Sequence, residues 1–510
     1  MISKDILFKQ FESQKLNFNN ELKIRQKKLL QLQKELFKFP NNFRRNYISN
    51  QLHAQYASKT HEELINLDVQ VRVAGRIIAK RVIGKVMFIV LLDGGGTIQL
   101  YVNMNMLKSK VIYEKNIKQL DLGDIIGAQG ILFKTRTLEL SVQCKEIYLL
   151  TKALRPLPNK FHGLNNLDIK YRQRYLDLIA NKESREIFKM RSLIISEIRR
   201  FMKEYNFMEV ETPMMHVIPG GATARPFVTY HNKYKMNMYL RIAPELYLKK
   251  LIVGGFERIF EINRNFRNES ISPNHNPEFT MMEVYIAYAD YHDMIVFIQN
   301  LLQVLTNRIL GKNIINYGDY ILDFRNPFIK ISIQEAIKHY CPESALRNIN
   351  DISDFIIFSR LFNVAIDKDW SIERLHTFFF EEIVSKKIIQ PTCVTDYSVE
   401  ISPLARCNDN NPKIADRFEL FIAGLEIGNG FSELNNSDDQ RQRFLQQMQK
   451  QDHTIDDVDI MNYDEDYLIA LEHGLPPTAG IGIGIDRLVM LLTNKHNIRD
   501  VILFPTLRPK

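Results

Sequence analysis

Cysteine is scarce in this chain. Only Cys144, Cys341, Cys393 and Cys407 occur among 510 residues, widely scattered and with no pair at metal-ligand spacing. That argues against a disulfide framework or a cysteine-held zinc site, and a reducing compartment is the expectation. Long apolar runs are missing too, so no stretch reaches the length of a bilayer span. The opening residues, MISKDILFKQFESQ, lack the apolar core and cleavage site of a secretory signal. A cytosolic, cytoplasmic protein with no membrane partner is expected. The one glycine-alternating stretch, TAGIGIGIDRLVMLL at 478–492, matches neither a Walker loop nor a dinucleotide fingerprint. It reads as a strand running into a helix near Asp486 and Arg487.

What is present fits a globular protein: 45% hydrophobic and 25% charged residues, over a length that calls for two or three domains. The net charge of +9 permits a polyanionic partner. Asn, Ile and Lys recur even in loops, a pattern of compositional drift, so part of that charge is background.

Residues 256–291 concentrate the chemistry. They alternate like two antiparallel strands, with Phe256, Arg258, Phe260, Ile262 and Arg264 on one arm and Phe279, Met281, Glu283 and Tyr285 on the other. The loop between them, 268–277, is rich in Asn, Ser and Pro. Alternation brings Arg267, Glu269, Phe279 and Glu283 toward one concave surface, suited to a ligand with both signs of charge and a flat ring. A solvated hairpin with surface ion pairs is the bland alternative.

In chain order, residues 20–37 form an amphipathic helix with Lys23, Arg25, Lys27, Lys28 and Lys34 on its basic side, either a solvated face or an arm for nucleic acid. Residues 69–150 give five short strands with a helical segment at about 106–118, the element order of an OB-fold barrel that binds single-stranded nucleic acid. Arg76, Phe88, Gln99 and Glu139 are its candidate base-facing residues, an aromatic to stack and polar groups to read base edges. A Pro-bearing linker follows at 153–164. Beyond it comes a helix capped by Asn181 or Ser184 with Ile187, Met190, Ile194, Ile198 and Phe201 on its apolar face, then a strand, MEVET, ending at Pro213. GGATARPF lets backbone approach a ligand, and RIAPELYLKKL opens a helix with Glu245 in its first turn. Residues 291–391 read as a mainly helical insertion without chemical signature. DRFELFIAGLEIGNGFSEL sets Glu419, Glu426, Asn429 and Glu433 on an apolar framework.

Taken together, FMEVETP, FRNE with NHNPEFTMME, and GIGIGIDR resemble motifs one, two and three of the class II aminoacyl-tRNA synthetases. IAPELYLK, SPLAR, EIGNGFSEL and EHGLPPTAG narrow the likeness to the lysyl-tRNA synthetases of bacterial type, over almost the whole chain. The resemblance implies an α+β protein: an N-terminal helical arm over 1–65, a five-stranded OB-fold barrel over 66–152 that reads the anticodon, a linker at 153–170, and a catalytic domain over 171–510. That domain would carry a mainly antiparallel sheet of six to seven strands flanked by helices. It implies a homodimer formed through motif one, with tRNA(Lys), L-lysine and ATP as substrates and Mg2+ as cofactor.

Roles carried over from the resemblance make chemical sense. Arg267 would bridge the substrate carboxylate and the α-phosphate, and with Arg487 is the catalytic pair. Phe279 and Arg487 would sandwich adenine, Glu269 accept from its amino group, and His275 sit near the outer phosphates. Glu419 and Glu426 would hold magnesium, hard oxygen ligands for an ion attached to phosphate. For the amino acid, Glu433 and Tyr285 would hold the side-chain ammonium with Glu283 and Phe431 beside them, Glu245 and Gly221 the α-amino group, and Asn429 with Arg267 the carboxylate. Such an acidic pocket repels aspartate and does not fit asparagine; rejecting ornithine is harder, one methylene being worth only about 1–3 kcal/mol. The chain departs from the family pattern at Leu138, Asn206, Ser270, Asn274 and Asn436. None of these removes a catalytic group. A binding-only paralogue, a protein-lysylating relative and an aspartyl or asparaginyl relative are the competing readings.

Overall fold

A computed structural model describes residues 4–35, 37–107, 117, 119–158, 166–364, 370–450 and 464–509. The chain divides into two compact units, Met1–Gly163 and Leu164–Lys510.

In the first unit five strands, Gln70–Ile83, Val86–Leu92, Thr97–Asn103, Ile125–Lys134 and Leu140–Thr151, close into a barrel in the order one, two, three, five, four. Inward residues alternate along each strand, Val71, Val73, Met87, Ile89, Ile98 and Leu100 among them, and are essentially fully buried, as a half-buried strand with period two requires. The helix expected at about 106–118 lies almost entirely outside the described residues. The N-terminal helix is longer than its apolar stripe suggests, Lys4–Lys34. Two of its basic residues are committed to the barrel: Arg25 donates to the Leu122 carbonyl at 2.8 Å and Lys28 pairs with Asp121 at 2.7 Å.

The second unit is built on an eight-stranded sheet, wider than the six to seven strands expected. Its order is Ile329–Ser332, Thr392–Thr395, Arg417–Ile422, Leu425–Ser432, Thr478–Gly484, Glu278–Ala287, Arg258–Phe266 and Met208–Glu209. Neighbours are antiparallel except at the two edges, where short strands pair in parallel. One face of the sheet packs on the helices Lys182–Glu204, Tyr291–Leu310 and Ile485–Leu492: Ile194, Ile198, Leu301 and Leu302 meet Met282, Val284, Ile481 and Ile483 in one core. Asn181 occupies the N-cap position of the first of these helices without a side-chain cap bond, and Ser184 donates to Asp177 instead.

Residues 291–391 are not a single helical block. Tyr291–Leu310 belongs to the main core, Ile314–Tyr317 and Tyr320–Asp323 form a hairpin, and Ile329–Ser332 is the sheet's edge. The remaining helices hold an aromatic cluster of their own around Phe355, Phe358, Phe379 and Phe380. The periodicity of 291–310 is helical in either arrangement; only tertiary burial tells a core helix from an inserted one.

Leu301→Ala, at a completely buried position of the main core, is expected to lower stability by about 2–5 kcal/mol, read as a reduced denaturation midpoint.

Candidate active site

The sheet face opposite the core carries the chemistry, and strand register puts it there. Glu261 pairs with Glu283, Glu283 with Gly482, Gly482 with Asn429, and Asn429 with Glu419. These residues therefore form one row across five strands. The adjacent row runs Tyr285, Gly480, Phe431, Arg417. Along the central strand Ile481 and Ile483 point into the core, so Gly480 and Gly482 form the floor of the other face. That floor has no room for a side chain. A Cβ at Gly480 would stand 2.4 Å from Glu433 Oε1 and 2.6 Å from the Tyr285 ring, and one at Gly482 would stand 2.8 Å from Met281.

At one end of this trough three buried carboxylates meet, those of Glu245, Glu283 and Glu433. Tyr285 donates its hydroxyl to Glu283 Oε2 at 3.1 Å. Burial, with Glu245 adding like charge, pushes the Glu283 carboxyl up to about 8. Burial likewise drives Glu433 well up, against the pull of Lys249. Glu433 forms an ion pair with Lys249 through Oε2, while Oε1 is buried without a hydrogen-bond partner. Gly221 adjoins Glu245; its φ of +87° and the 3.0 Å that would separate a Cβ from the Glu245 Cβ both call for glycine.

The other end is cationic. The Arg267 guanidinium lies 5.1 Å from the centre of the Phe279 ring, and its Nε is buried without a partner. Burial pulls its pKa down, opposed by Glu426, Glu269 and Glu283. Arg487 donates to the Glu426 carbonyl at 2.7 Å and to its Oε2 at 3.1 Å, and meets His275 Nε2 at 3.0 Å. Burial and Arg487 hold the His275 ring below its ordinary value, and Ser272 Oγ steadies its other nitrogen at 2.8 Å. Glu269 is exposed at the start of the loop, whose Asn268 amide donates to the Arg225 carbonyl of the GGATARPF segment at 2.8 Å.

Glu426 reaches this face through an irregularity. Asn429 and Glu426 are three residues apart, so strict alternation would send them to opposite faces. The register slips between Leu420 and Phe421, pairing Glu419 with Asn429 but Phe421 with Glu426, and this bulge returns Glu426 to the side of Glu419. Arg417 Nη2 donates to Glu419 Oε1 at 2.5 Å and Tyr397 to Oε2 at 2.9 Å. Burial, outweighing Arg417, and the charges of Glu426 and Glu381 raise Glu419 to about 7. For Glu426, the guanidiniums of Arg487, Arg417 and Arg267 outweigh burial and keep it below the usual range. Among the described residues no group of three or more His, Cys, Asp or Glu side chains could hold a metal by itself. Two carboxylates of differing basicity on one face fit an ion that takes its remaining oxygens from phosphate and water.

The family model described as "tRNA synthetases class II (D, K and N)" matches residues 166–508, and an OB-fold nucleic acid binding domain model matches 71–150. The chain belongs to the class II tRNA synthetases. It is 63% identical over 510 residues, all of both chains, to a protein of Blochmanniella pennsylvanica named lysine--tRNA ligase. To those of the same name from Blochmanniella floridana and Yersinia enterocolitica it is 67% identical over 94% of this chain and 99% of the relative, and 57% identical over 98% of each.

On the barrel of this synthetase Phe88, Tyr101 and Phe133 line up in edge-to-face contacts of 5.5 Å each. Gln99 stands on the same strand as Tyr101 and donates to Ser141 Oγ at 2.9 Å. Glu139 is exposed in the hairpin beside Leu138, which has a φ of 64°. Arg76 is placed elsewhere. It pairs with Leu92, four residues along the strand from Phe88, and its guanidinium donates to the Gly123 carbonyl at 2.8 Å. The arginine directly opposite Phe88 is Arg81, which is exposed; its odd spacing from Arg76 is absorbed by a bulge between Ile77 and Ala79. No local pattern marks that bulge.

Other supporting residues carry no mark in the sequence. Arg191 donates to Asp486 Oδ1 at 2.6 Å and to Thr280 Oγ1 at 3.1 Å, and the Thr280 amide donates to Asp486 Oδ2 at 2.7 Å. The neighbours of Phe279 and Arg487 are thus clamped together. Arg417, Tyr397 and Lys249 brace the carboxylates in the same way, and a lone Arg, Tyr or Lys in a strand or helix gives no signal of it.

Gly480→Ala is expected to fold and to raise the KM for the amino acid while leaving that for ATP nearly unchanged, measured by ATP–pyrophosphate exchange. A pH effect follows as well. Glu283 at about 8 and Glu419 at about 7 stand above the ordinary 4.5 of a glutamate, so between those values the folded chain holds protons the unfolded chain has released. Stability is greatest at low pH in this window and falls as pH rises through about 7 to 8; Glu283→Gln should flatten the upper part of the fall in denaturation midpoint.

Proposed function

We propose that this chain is a lysine–tRNA ligase that joins L-lysine to ATP, forming lysyl-adenylate and pyrophosphate, and then passes lysine to the 3′ end of tRNA(Lys). The observation that carries the choice of amino acid is the buried trio Glu245, Glu283 and Glu433, with an unpartnered Glu433 oxygen beside Tyr285. A substrate with two ammonium groups matches such a site, and one with a side-chain carboxylate is repelled by it. Phe431 offers an aromatic face at that end, where Lys249 already lies 5.4 Å from its ring centre.

The chemistry needs little acid–base help. The attacking group of the first step is a carboxylate, already anionic at neutral pH, so catalysis is positioning and charge neutralisation. Arg267 is the residue for that work. Its largely buried guanidinium, with an unsatisfied Nε, feels the charges of Glu283 as well as of Glu426, Glu269 and Arg487, and can take the substrate carboxylate and the α-phosphate together. Asn429, held through Oδ1 by Arg417 at 3.1 Å, can turn its amide nitrogen to the carboxylate. Phe279 and Arg487 would sandwich adenine, with Glu269 near its amino group, and His275 would sit near the outer phosphates. Glu419 and Glu426 would hold Mg2+, which when bound neutralises phosphate charge.

The barrel would read the anticodon through stacking on Phe88 and polar contacts from Gln99, Glu139 and Arg81, the last in place of Arg76. A homodimer is part of the proposal: Met208, Met214, Met215 and Val217, in and after the motif-one strand, are each more than 40% exposed, apolar surface that a second copy would cover. Among the described residues no helix is long and apolar enough to cross a membrane, and a cytoplasmic site of action is proposed.

Lysine-dependent ATP–pyrophosphate exchange tests this reading, with aspartate, asparagine, arginine and ornithine in parallel. Exchange with lysine in clear preference to the others is expected, and Arg267→Ala should reduce it by roughly 10²–10³-fold, the loss typical of one electrostatic contact made in the transition state. Strong exchange with aspartate or asparagine, or none from the folded protein, would overturn it.

A further inference from the structure

The wall that holds Glu433 contains a buried cation that no step above uses. Lys249 lies one turn after Glu245 on the helix Glu245–Val253 and is completely buried. Its Nζ donates to Glu245 Oε1 at 2.6 Å and pairs with Glu433 Oε2. It also lies over the rings of Phe431 and Tyr467, at 5.4 and 6.0 Å from their centres. A buried ammonium is costly unless paired; this one is paired twice and faced by two aromatic rings. One cation thereby joins two carboxylates that would otherwise repel each other. Glu433 is left with a divided geometry: neither oxygen has a partner in hydrogen-bond geometry, but Oε2 is ion-paired with Lys249 while Oε1 has no partner of any kind next to the Tyr285 ring over Gly480.

We propose that Lys249 is a positioning residue for the side-chain end of substrate lysine: by holding Glu433 Oε2 it turns Oε1 toward the open trough, where an incoming ammonium can meet it. The inference rests on the assignment of Glu433 as the group that reads that ammonium. Apart from Lys249, the titratable groups around Glu433 are Glu245 on the same helix as Lys249, Glu283 and Tyr285 on the strand Glu278–Ala287, and Tyr467 on the helix Glu465–Glu472. Of these, the carboxylates Glu245 and Glu283, together with burial, favour a neutral Glu433. Without Lys249 the carboxyl takes up a proton and presents a hydrogen where the substrate needs an acceptor.

The test is ATP–pyrophosphate exchange by the full-length protein and by Lys249→Met and Glu433→Gln, with KM determined for lysine and for ATP. Lys249→Met is expected to raise the lysine KM about tenfold or more, the range for losing a hydrogen bond to a charged group, with the ATP KM near that of the parent. Relative to the parent, its lysine KM should fall as pH rises from about 6.5 to 9, because Glu433 regains its charge. An unchanged lysine KM in Lys249→Met beside a raised one in Glu433→Gln overturns the role of Lys249 alone. An unchanged lysine KM in Glu433→Gln overturns the pocket assignment beneath it. Should Lys249→Met fail to fold, Lys249→Met/Glu245→Gln removes the adjacent pair together and carries the same expectation. Infrared difference spectra between the parent and Glu433→Gln at neutral pH read the group directly: an ionised carboxylate stretch supports the proposal, and a protonated carboxyl stretch overturns it.

Discussion

One constraint shapes the catalytic unit: the strand Thr478–Gly484 must bury isoleucine on one face and carry nothing on the other. Ile481 and Ile483 anchor it in the core shared with three helices, and this fixes its register. Once that register is set, the strands on either side have no freedom left. Glu283 and Asn429 are paired to Gly482, and Tyr285 and Phe431 to Gly480. A one-residue slip would send all four to the core side and strand two polar groups there. The apolar packing of one face is therefore what locates Glu283, Tyr285, Asn429 and Phe431 on the other, and the bare glycine backbone between them is the floor on which a substrate can lie.

The electrostatics of the trough follow from that placement. Carboxylates at one end and guanidiniums at the other are brought closer and more deeply buried than either would be on an open surface. The free protein responds by protonation, with Glu283 and Glu419 raised into the neutral range, and by internal pairing, with Arg417 on Glu419, Arg487 on Glu426 and Lys249 between Glu245 and Glu433. Each internal cation leaves part of its carboxylate's coordination open. Ligands of opposite charge complete what the fold leaves unfinished, which is how a site selects a dicationic amino acid and a polyanionic nucleotide side by side.

The sequence is most informative where function depends on local pattern. The 256–291 hairpin, the glycine alternation ending in Asp486 and Arg487, the five barrel strands and the motif-one helix are all readable from spacing and turn chemistry. What stays hidden depends on register or on distant pairing. The bulge that returns Glu426 to the face of Glu419, and the one that puts Arg81 rather than Arg76 opposite Phe88, are single-residue slips with no composition of their own. The parallel edge strand Ile329–Ser332 is too short to carry a period, and of the expected strand MEVET only Met208–Glu209 is paired into the sheet. Arg191 and Lys249 act on residues far away in sequence or through burial alone, so nothing near them announces the role.

Asn206, Asn436 and Leu138, expected from the resemblance to depart from the family pattern, each sit in a geometry that the structure accounts for. Asn206 has a φ of 60° after the helix Lys182–Glu204, a left-handed conformation that asparagine adopts readily. Asn436 accepts from the amides of Asp438 and Asp439 at 3.0 and 3.2 Å, so it caps the helix Ser437–Lys450 with its amide oxygen as a carboxylate would. Leu138 is harder to accommodate. A leucine at φ 64° is strained by roughly 1–2 kcal/mol, yet its side chain is 73% exposed and its amide still closes the turn onto Thr135 at 2.9 Å. In all three the local geometry is kept: the left-handed turn after the helix at Asn206, the cap at Asn436, and the hairpin at Leu138 that carries the exposed Glu139.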